Sequence, residues 1–232
     1  ELPYLLTLPS HGFYWFRLSQ QADMPPWHQE GTPLQDSPTL VLFDGWTSFF
    51  RDKVMPWRMR LADRLRQQFE TDTVPRYIEL QRWYASKGSR IERARVIDHA
   101  VWEHAGSHWL LPLLALDGPP GDAVYFSPLA LAWEDLDEER MHALGHAALA
   151  KVRQQARVGV MGDAYFDQDF CRALVAAIGN KLDLDTAHGQ LRFRPSARFA
   201  ELALDIASLP VSRPSGNSSN TVILLGESLF LK

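Results

Sequence analysis

TVPRYIELQRWYASKG (residues 73–88) and RIERARVIDHAVWEHAGSHWLLPLLALDGPPGDAVYFSPLALAWE (residues 90–134) decide the fold of this chain. In the first stretch Val74, Tyr77, Ile78, Gln81 and Tyr84 recur on one helical face. Thr73 is suited to cap the open N–H groups, Pro75 to the first turn, and Gly88 to the stop. The second stretch changes period. Runs of Val, Ile, Leu, Trp and Tyr are broken at Ala105-Gly106-Ser107 and at Asp117-Gly118-Pro119-Pro120-Gly121, which predicts an antiparallel meander of three strands. Pro112 and Pro128 inside these runs predict edge positions or bulges. A helix followed by a meander, without regular βαβ alternation, reads as an α+β fold.

Upstream, Leu40 to Phe50 is short and apolar, and Val54 to Phe69 sets Leu61, Leu65 and Phe69 at helical spacing among Arg58, Arg60, Arg64 and Arg66. That second segment reads as a helix or as a strand with a helical end. Pro25, Pro26, Gly31 and Pro33 make residues 19–38 a linker, and Phe13 to Leu18 reads as a strand after a turn at Pro9 to Gly12. Downstream, the acidic run Glu134 to Glu139 predicts the start of a short helix. A clearer helix is capped by Asp167, carries Phe170, Leu174, Val175 and Ile178 on one face, and stops at Gly179-Asn180. Gln190 to Arg194 reads as a strand. Ala207 to Arg213 and Asn220 to Lys232 flank a Pro/Ser/Gly/Asn loop, and the second of them turns again at Gly226-Glu227. The resulting division is a terminal strand at 1–18, a linker at 19–38, a main domain at 39–206 and the start of another unit at 207–232.

With 232 residues, 46% hydrophobic and 22% charged, the chain has the composition of a soluble globular protein with enough length for a sizeable core. A net charge of −4, with Lys and Arg scattered, argues against nucleic acid or an anionic membrane as partner and for small molecules or protein contacts. No apolar run approaches the roughly 20 residues needed to span a bilayer. The opening ELPYLLTLPS lacks the basic head of a signal peptide, so a cytoplasmic location is expected. A single cysteine, Cys171, leaves no internal disulfide and no cysteine-based zinc site, and reads as a small core hydrophobe.

Three signatures, in this order, resemble bacterial trehalose synthase/maltokinase fusions. His11-Gly12-Phe13-Tyr14-Trp15-Phe16-Arg17-Leu18 is similar to the closing strand of the β-sandwich that ends trehalose synthases. Gln81-Arg82-Trp83-Tyr84-Ala85-Ser86-Lys87-Gly88 resembles the Q-R-W-F-x-x-K-G motif on the first helix of the maltokinase N-terminal cap, with Tyr84 where Phe is usual. Ser219-Asn220-Thr221, Gly226-Glu227 and Leu229-Phe230-Leu231-Lys232 resemble the S-N-T…G-D-x-L-I-L-K stretch that opens the kinase lobe, with Glu227 for Asp.

The resemblance implies a cystatin-like cap, one helix on a curved antiparallel sheet, preceded by a β-sandwich strand and followed by the first strands of a kinase-like N-lobe. It implies a parent enzyme that uses ATP and Mg2+ to phosphorylate maltose at its anomeric hydroxyl, fused behind a maltose/trehalose isomerase. Lys232, Ser219, Asn220 and Thr221 would then face ATP, with Lys232 reaching the phosphates. Gln81, Arg82, Trp83, Lys87 and Gly88 would be a structural signature of the cap. Catalytic residues would lie outside this chain, which would be inactive alone and would touch the synthase domain and the kinase C-lobe within the parent.

The competing reading is a carbohydrate-binding or regulatory module that couples synthase and kinase. His142 and His146, four apart on a helix, have no convincing third metal ligand in the sequence. The carboxylates at 134–139 suit a helix N-terminus better than a glycosidase pair. Trp15, Trp83, Trp102, Trp109 and Trp133 fall within expected elements and read as core.

Overall fold

A computed structural model of the chain describes residues 37–86, 88–118, 123–202, 205–214 and 221–231. The expected strand at 1–18 and nearly all of the linker at 19–38 lie outside them.

The arginine-punctuated segment is helical from Pro56 onward, first as a 3-10 turn at Pro56–Arg58. α1 (Met59–Gln68) continues through a π-helical turn at Phe69–Thr73 into α2 (Val74–Leu80). Thr73 is therefore not the cap expected from sequence. It lies inside the helix, buried, and its hydroxyl has no hydrogen-bond partner among the described residues. Pro75 explains the local widening: its ring lacks an N–H and crowds the preceding turn, and a π turn immediately before it absorbs both defects. The helix also ends earlier than Gly88 suggested. Gln81 is already extended (φ −73°, ψ 138°), so the QRW motif forms the turn that leaves the helix.

The meander is present and is part of a larger sheet. Its strands are β1 (Thr39–Leu42), β2 (Arg93–His104), β3 (Ser107–Asp117), β4 (Val124–Phe126), β5 (Leu129–Trp133), β6 (Ala148–Gln154) and β7 (Arg157–Asp163). They run in the order β1-β6-β7-β5-β3-β2, with β4 also on β3, and curl into a half-barrel. Every pair is antiparallel except β1 with β6.

Pro112 sits where β3 exchanges one partner for another, β5 at Trp109 and Leu110, then β4 from Leu113 onward. Its carbonyl accepts from the Ser127 N–H on that side, so the nitrogen that cannot donate faces the gap between β4 and β5 and removes nothing from the β2 ladder. Pro128 falls in the break itself, outside both strands.

Each face of this sheet is covered. On one face α1 and α2, with Trp46, Phe49 and Phe50 from the turns after β1, pack on Val96, Leu110, Leu114, Leu131 and Met161. Phe49, Phe50 and Phe69 are each at most 2% exposed, worth about 2 kcal/mol apiece in apolar burial. The opposite face carries α3 (Glu138–Gly145) and α4 (Gln168–Gly179), which bury Trp102, Trp109, Leu144, Phe170 and Leu174. Asp137 caps α3 and Asp167 caps α4, as the acidic residues at those points predict.

A short hairpin, β8 (Asp183–Asp185) with β9 (Gln190–Arg192), and the single-turn α5 (Ala197–Glu201) follow. The outer side of α4 then holds a three-stranded sheet of β10 (Val211–Ser212), β11 (Ile223–Leu225) and β12 (Leu229–Leu231) through Cys171 and Val175. β11 and β12 are joined by the Gly226 turn (φ +58°), a conformation that favours glycine. The fold is α+β, with the helix-on-curved-sheet core expected from residues 73–134 and a second helical layer behind it.

Candidate functional site

Tyr77 on α2 is buried against β7, and its hydroxyl donates to Oδ2 of Asp163 at 3.2 Å. Asp163 ends β7, where Oδ1 accepts the Tyr165 N–H at 2.9 Å and caps the 3-10 turn Ala164–Phe166. Burial pushes the Asp163 carboxyl up to about 6, opposed by the Tyr165 N–H and the Tyr77 hydroxyl. Burial also pushes Tyr165 up to about 12 and Tyr77 well above its ordinary value, the Asp163 charge adding to both.

Asp163 faces a cleft of about 340 Å³ whose walls include Trp83, Tyr125, Tyr165, Thr221 and Leu231. Trp83 comes from the turn after α2, Tyr125 from β4, and Thr221 and Leu231 from the C-terminal sheet. The rings of Trp83 and Tyr125 lie 5.5 Å apart, tilted by 41°. The cleft thus unites one residue of the QRW motif with one residue of the S-N-T motif, segments about 140 positions apart in sequence.

The other motif residues are distributed around it. Gln81 turns back and donates from Nε2 to the Tyr77 carbonyl at 3.1 Å. Arg82 is exposed in the turn, and Gly88 has a positive φ of 83°. Lys87, Ser219, Asn220 and Lys232 lie outside the described residues. Arg213, at the end of β10, donates to the Tyr165 carbonyl at 2.6 Å and lies over the Phe166 ring at 4.2 Å, tying the C-terminal sheet to the turn that Asp163 caps.

Two buried carboxylates organise the rest of the framework. Glu70, in the π turn, accepts from Arg66 and Arg93 and from the Val96 N–H, beside the β-bulge between Val96 and Asp98. Asp167 caps α4 through the Asp169 N–H, accepts Trp109 Nε1 at 2.7 Å and pairs with Arg140 at 2.6 Å, so β3, α3 and α4 meet on one side chain. Sequence reading found the Asp167 cap but neither network, because each depends on pairings 23 to 58 residues apart.

A second cleft, about 530 Å³, opens between the turn after β1 and the far ends of β5 to β7, and includes Trp46, His108, Trp133, Gln154 and Arg157. Trp46 is buried and donates to the His108 carbonyl at 3.1 Å, and Arg157 covers Trp133 at 5.0 Å from the ring centre. Trp102 and Trp109 are core, as expected, at 3% and 1% exposure.

His142 and His146 approach to 3.3 Å between Nε2 atoms. No group of three or more His, Cys, Asp or Glu that could hold a metal occurs among the described residues. Cys171 is buried, and desolvation pushes its thiol up to about 12. Among the described residues no helix is long and apolar enough to cross a membrane.

A helix laid on the curled face of a mostly antiparallel sheet, with a small separate sheet resting on α4, defines an α+β module. Residues 77–167 match the family model of the maltokinase N-terminal cap domain. The match begins at Tyr77 and ends at Asp167, and so encloses the Tyr77–Asp163 pair and the α4 cap. A comparison of the chain with curated proteins gives no match.

Proposed function

We propose that the chain is the cap and the beginning of the ATP-binding lobe of a maltokinase, carried behind a trehalose synthase in the parent protein. The observation that carries this reading is the cap-domain match over residues 77–167. The sequence signatures on either side extend it: His11 to Leu18 for the end of a synthase, and Ser219 to Lys232 for the opening of a kinase lobe. In this reading the parent transfers the γ-phosphoryl group of Mg-ATP to the anomeric hydroxyl of maltose. The cap does no chemistry itself. Its aromatic cleft seats the first strands of the lobe, with Trp83 and Tyr125 on one side and Thr221, Ile223 and Leu231 on the other. Lys232 follows β12 directly and supplies a point charge for the nucleotide phosphates, and Ser219, Asn220 and Thr221 supply loop donors.

The test uses the whole gene product that contains this chain. Incubated with maltose, ATP and Mg2+, it is expected to form maltose 1-phosphate, read by 31P NMR, and to interconvert maltose and trehalose. A folded full-length protein that forms no phosphorylated sugar overturns the kinase reading, and the absence of trehalose overturns the fusion.

A second reading, a carbohydrate-binding module, is favoured by the 530 Å³ cleft, which sets Trp133 among Gln154, Arg157, His108 and Glu103. Calorimetric titration of the 232-residue chain with maltose separates the two. Saturable binding that is lost in Gln154→Ala supports the module, and no heat supports the non-binding cap.

A further inference from the structure

Asp163 is 6% exposed, and both carboxylate oxygens are accounted for by neutral donors, the Tyr77 hydroxyl and the Tyr165 N–H. Among the described residues it makes no ion pair. Arg213, whose charge acts on it, donates to the Tyr165 carbonyl and lies over the Phe166 ring. A carboxylate so desolvated is costly unless a positive charge accompanies it. Asp163 lines the 340 Å³ cleft, whose walls are largely aromatic and apolar, with Ser127 and Thr221 adding only hydroxyl groups. A neutral polyol would find few planar donors and acceptors here. A compact cation would find a counter-ion below it and π-faces beside it, the arrangement that binds ammonium groups out of water.

We propose that this cleft is an ammonium-binding site, with Asp163 as counter-ion and the rings of Trp83 and Tyr125 as walls. The amine is a free alkylamine ligand. The inference does not depend on kinase activity, because it concerns the charge of the cleft alone.

Occupancy follows the ionisation of Asp163, so binding weakens as pH falls through about 6. The titratable groups that face Asp163 are Tyr77 on α2, Tyr165 in the turn after β7, Cys171 on α4 and Arg213 after β10, none of which changes charge between pH 5 and 8.

The experiment titrates the 232-residue chain with n-butylammonium chloride at pH 7.5, followed by calorimetry, with n-butanol as the uncharged control. Saturable millimolar binding of the amine, at least tenfold stronger than the alcohol, is expected. Asp163→Asn should weaken it at least tenfold. Trp83→Leu, a partly exposed position, should weaken it severalfold with thermal melting unchanged, which separates loss of the site from loss of the fold. Equal affinity for butanol and butylammonium, or no binding of the amine, overturns the proposal.

Discussion

Glu70 is 1% exposed and charged. Burial opposes its ionisation, but hydrogen bonds from Arg93, Arg66 and the Val96 N–H outweigh burial and hold its carboxyl below the ordinary 4.5. The π turn has a reason at this position: it brings Glu70 against the bulge in β2, where the Val96 N–H and carbonyl are taken up by Glu70 and Arg66. Removing the charge leaves Arg66 and Arg93 facing a neutral amide. Glu70→Gln is therefore expected to cost about 3 kcal/mol at pH 7, read by urea denaturation. The sign of the pH effect follows from the lowered value. The stabilisation is fully present above pH 4.5 and is lost as pH falls below it toward the folded-state pKa, so the acid limb of stability should be shallower in the variant. An unchanged acid limb would show that Glu70 is not ionised in the folded chain.

At the scale of elements, the β6–β7 hairpin had no place in the sequence reading, and its composition explains why. Ala148, Ala150, Gly159 and Gly162 occupy inward or tightly packed positions where a strand signal would come from Val or Ile. These small residues are structural requirements. A Cβ at Gly159 would stand 2.2 Å from the Ala132 carbonyl oxygen and 2.8 Å from the Trp133 ring, whereas one at Gly189 meets nothing closer than 3.8 Å. Gly159→Ala is expected to destabilise the chain by about 2 kcal/mol or more, with Gly189→Ala near neutral, both by thermal melting. Equal melting temperatures would refute the close approach of β5 and β7.

By contrast α4 was legible from cap to stop, because Asp167 and Gly179-Asn180 carry local signals. The start of α1–α2 was not. Pro75 and Thr73 together imitate a helix N-terminus, and only the tertiary fit of Glu70 against β2 keeps the chain helical through them. Of the cleft, Trp83 and Thr221 were legible as motif residues, whereas Asp163 and Tyr125 carry no local mark and become site residues only through the sheet register.

The described residues are layered as helix, sheet, helices and small sheet, and the last layer rests on α4 through Cys171 and Val175. Cys171 therefore reports on that contact. In the intact chain the thiol, 0% exposed, should react with an aromatic disulfide reagent only slowly. In a chain ending at residue 206 it should react at least tenfold faster, because Ile223 and Leu225 no longer cover it. Equal rates would mean that the small sheet does not rest on α4 in solution. The family match, residues 77–167, omits β1, the turns after it, α1 and the start of the π turn, which supply Leu40, Leu42, Phe49, Phe50, Leu65 and Phe69 to the core. A protein made of those residues alone should show no cooperative melting.

The parallel pairing of β1 with β6 has a consequence for synthesis on the ribosome. Gly45, just after β1, is held by the side chain of Gln154, 109 residues later. The first strand of this sheet among the described residues is thus among the last to find its partner. Until β6 emerges, Leu40 and Leu42 have no sheet to join, and the growing chain must carry them without that partner while the 109 positions from Gly45 to Gln154 are made. Slowing translation between β5 and β6 should therefore lengthen the interval in which this domain calls on chaperones, while leaving the stability of the finished fold unchanged.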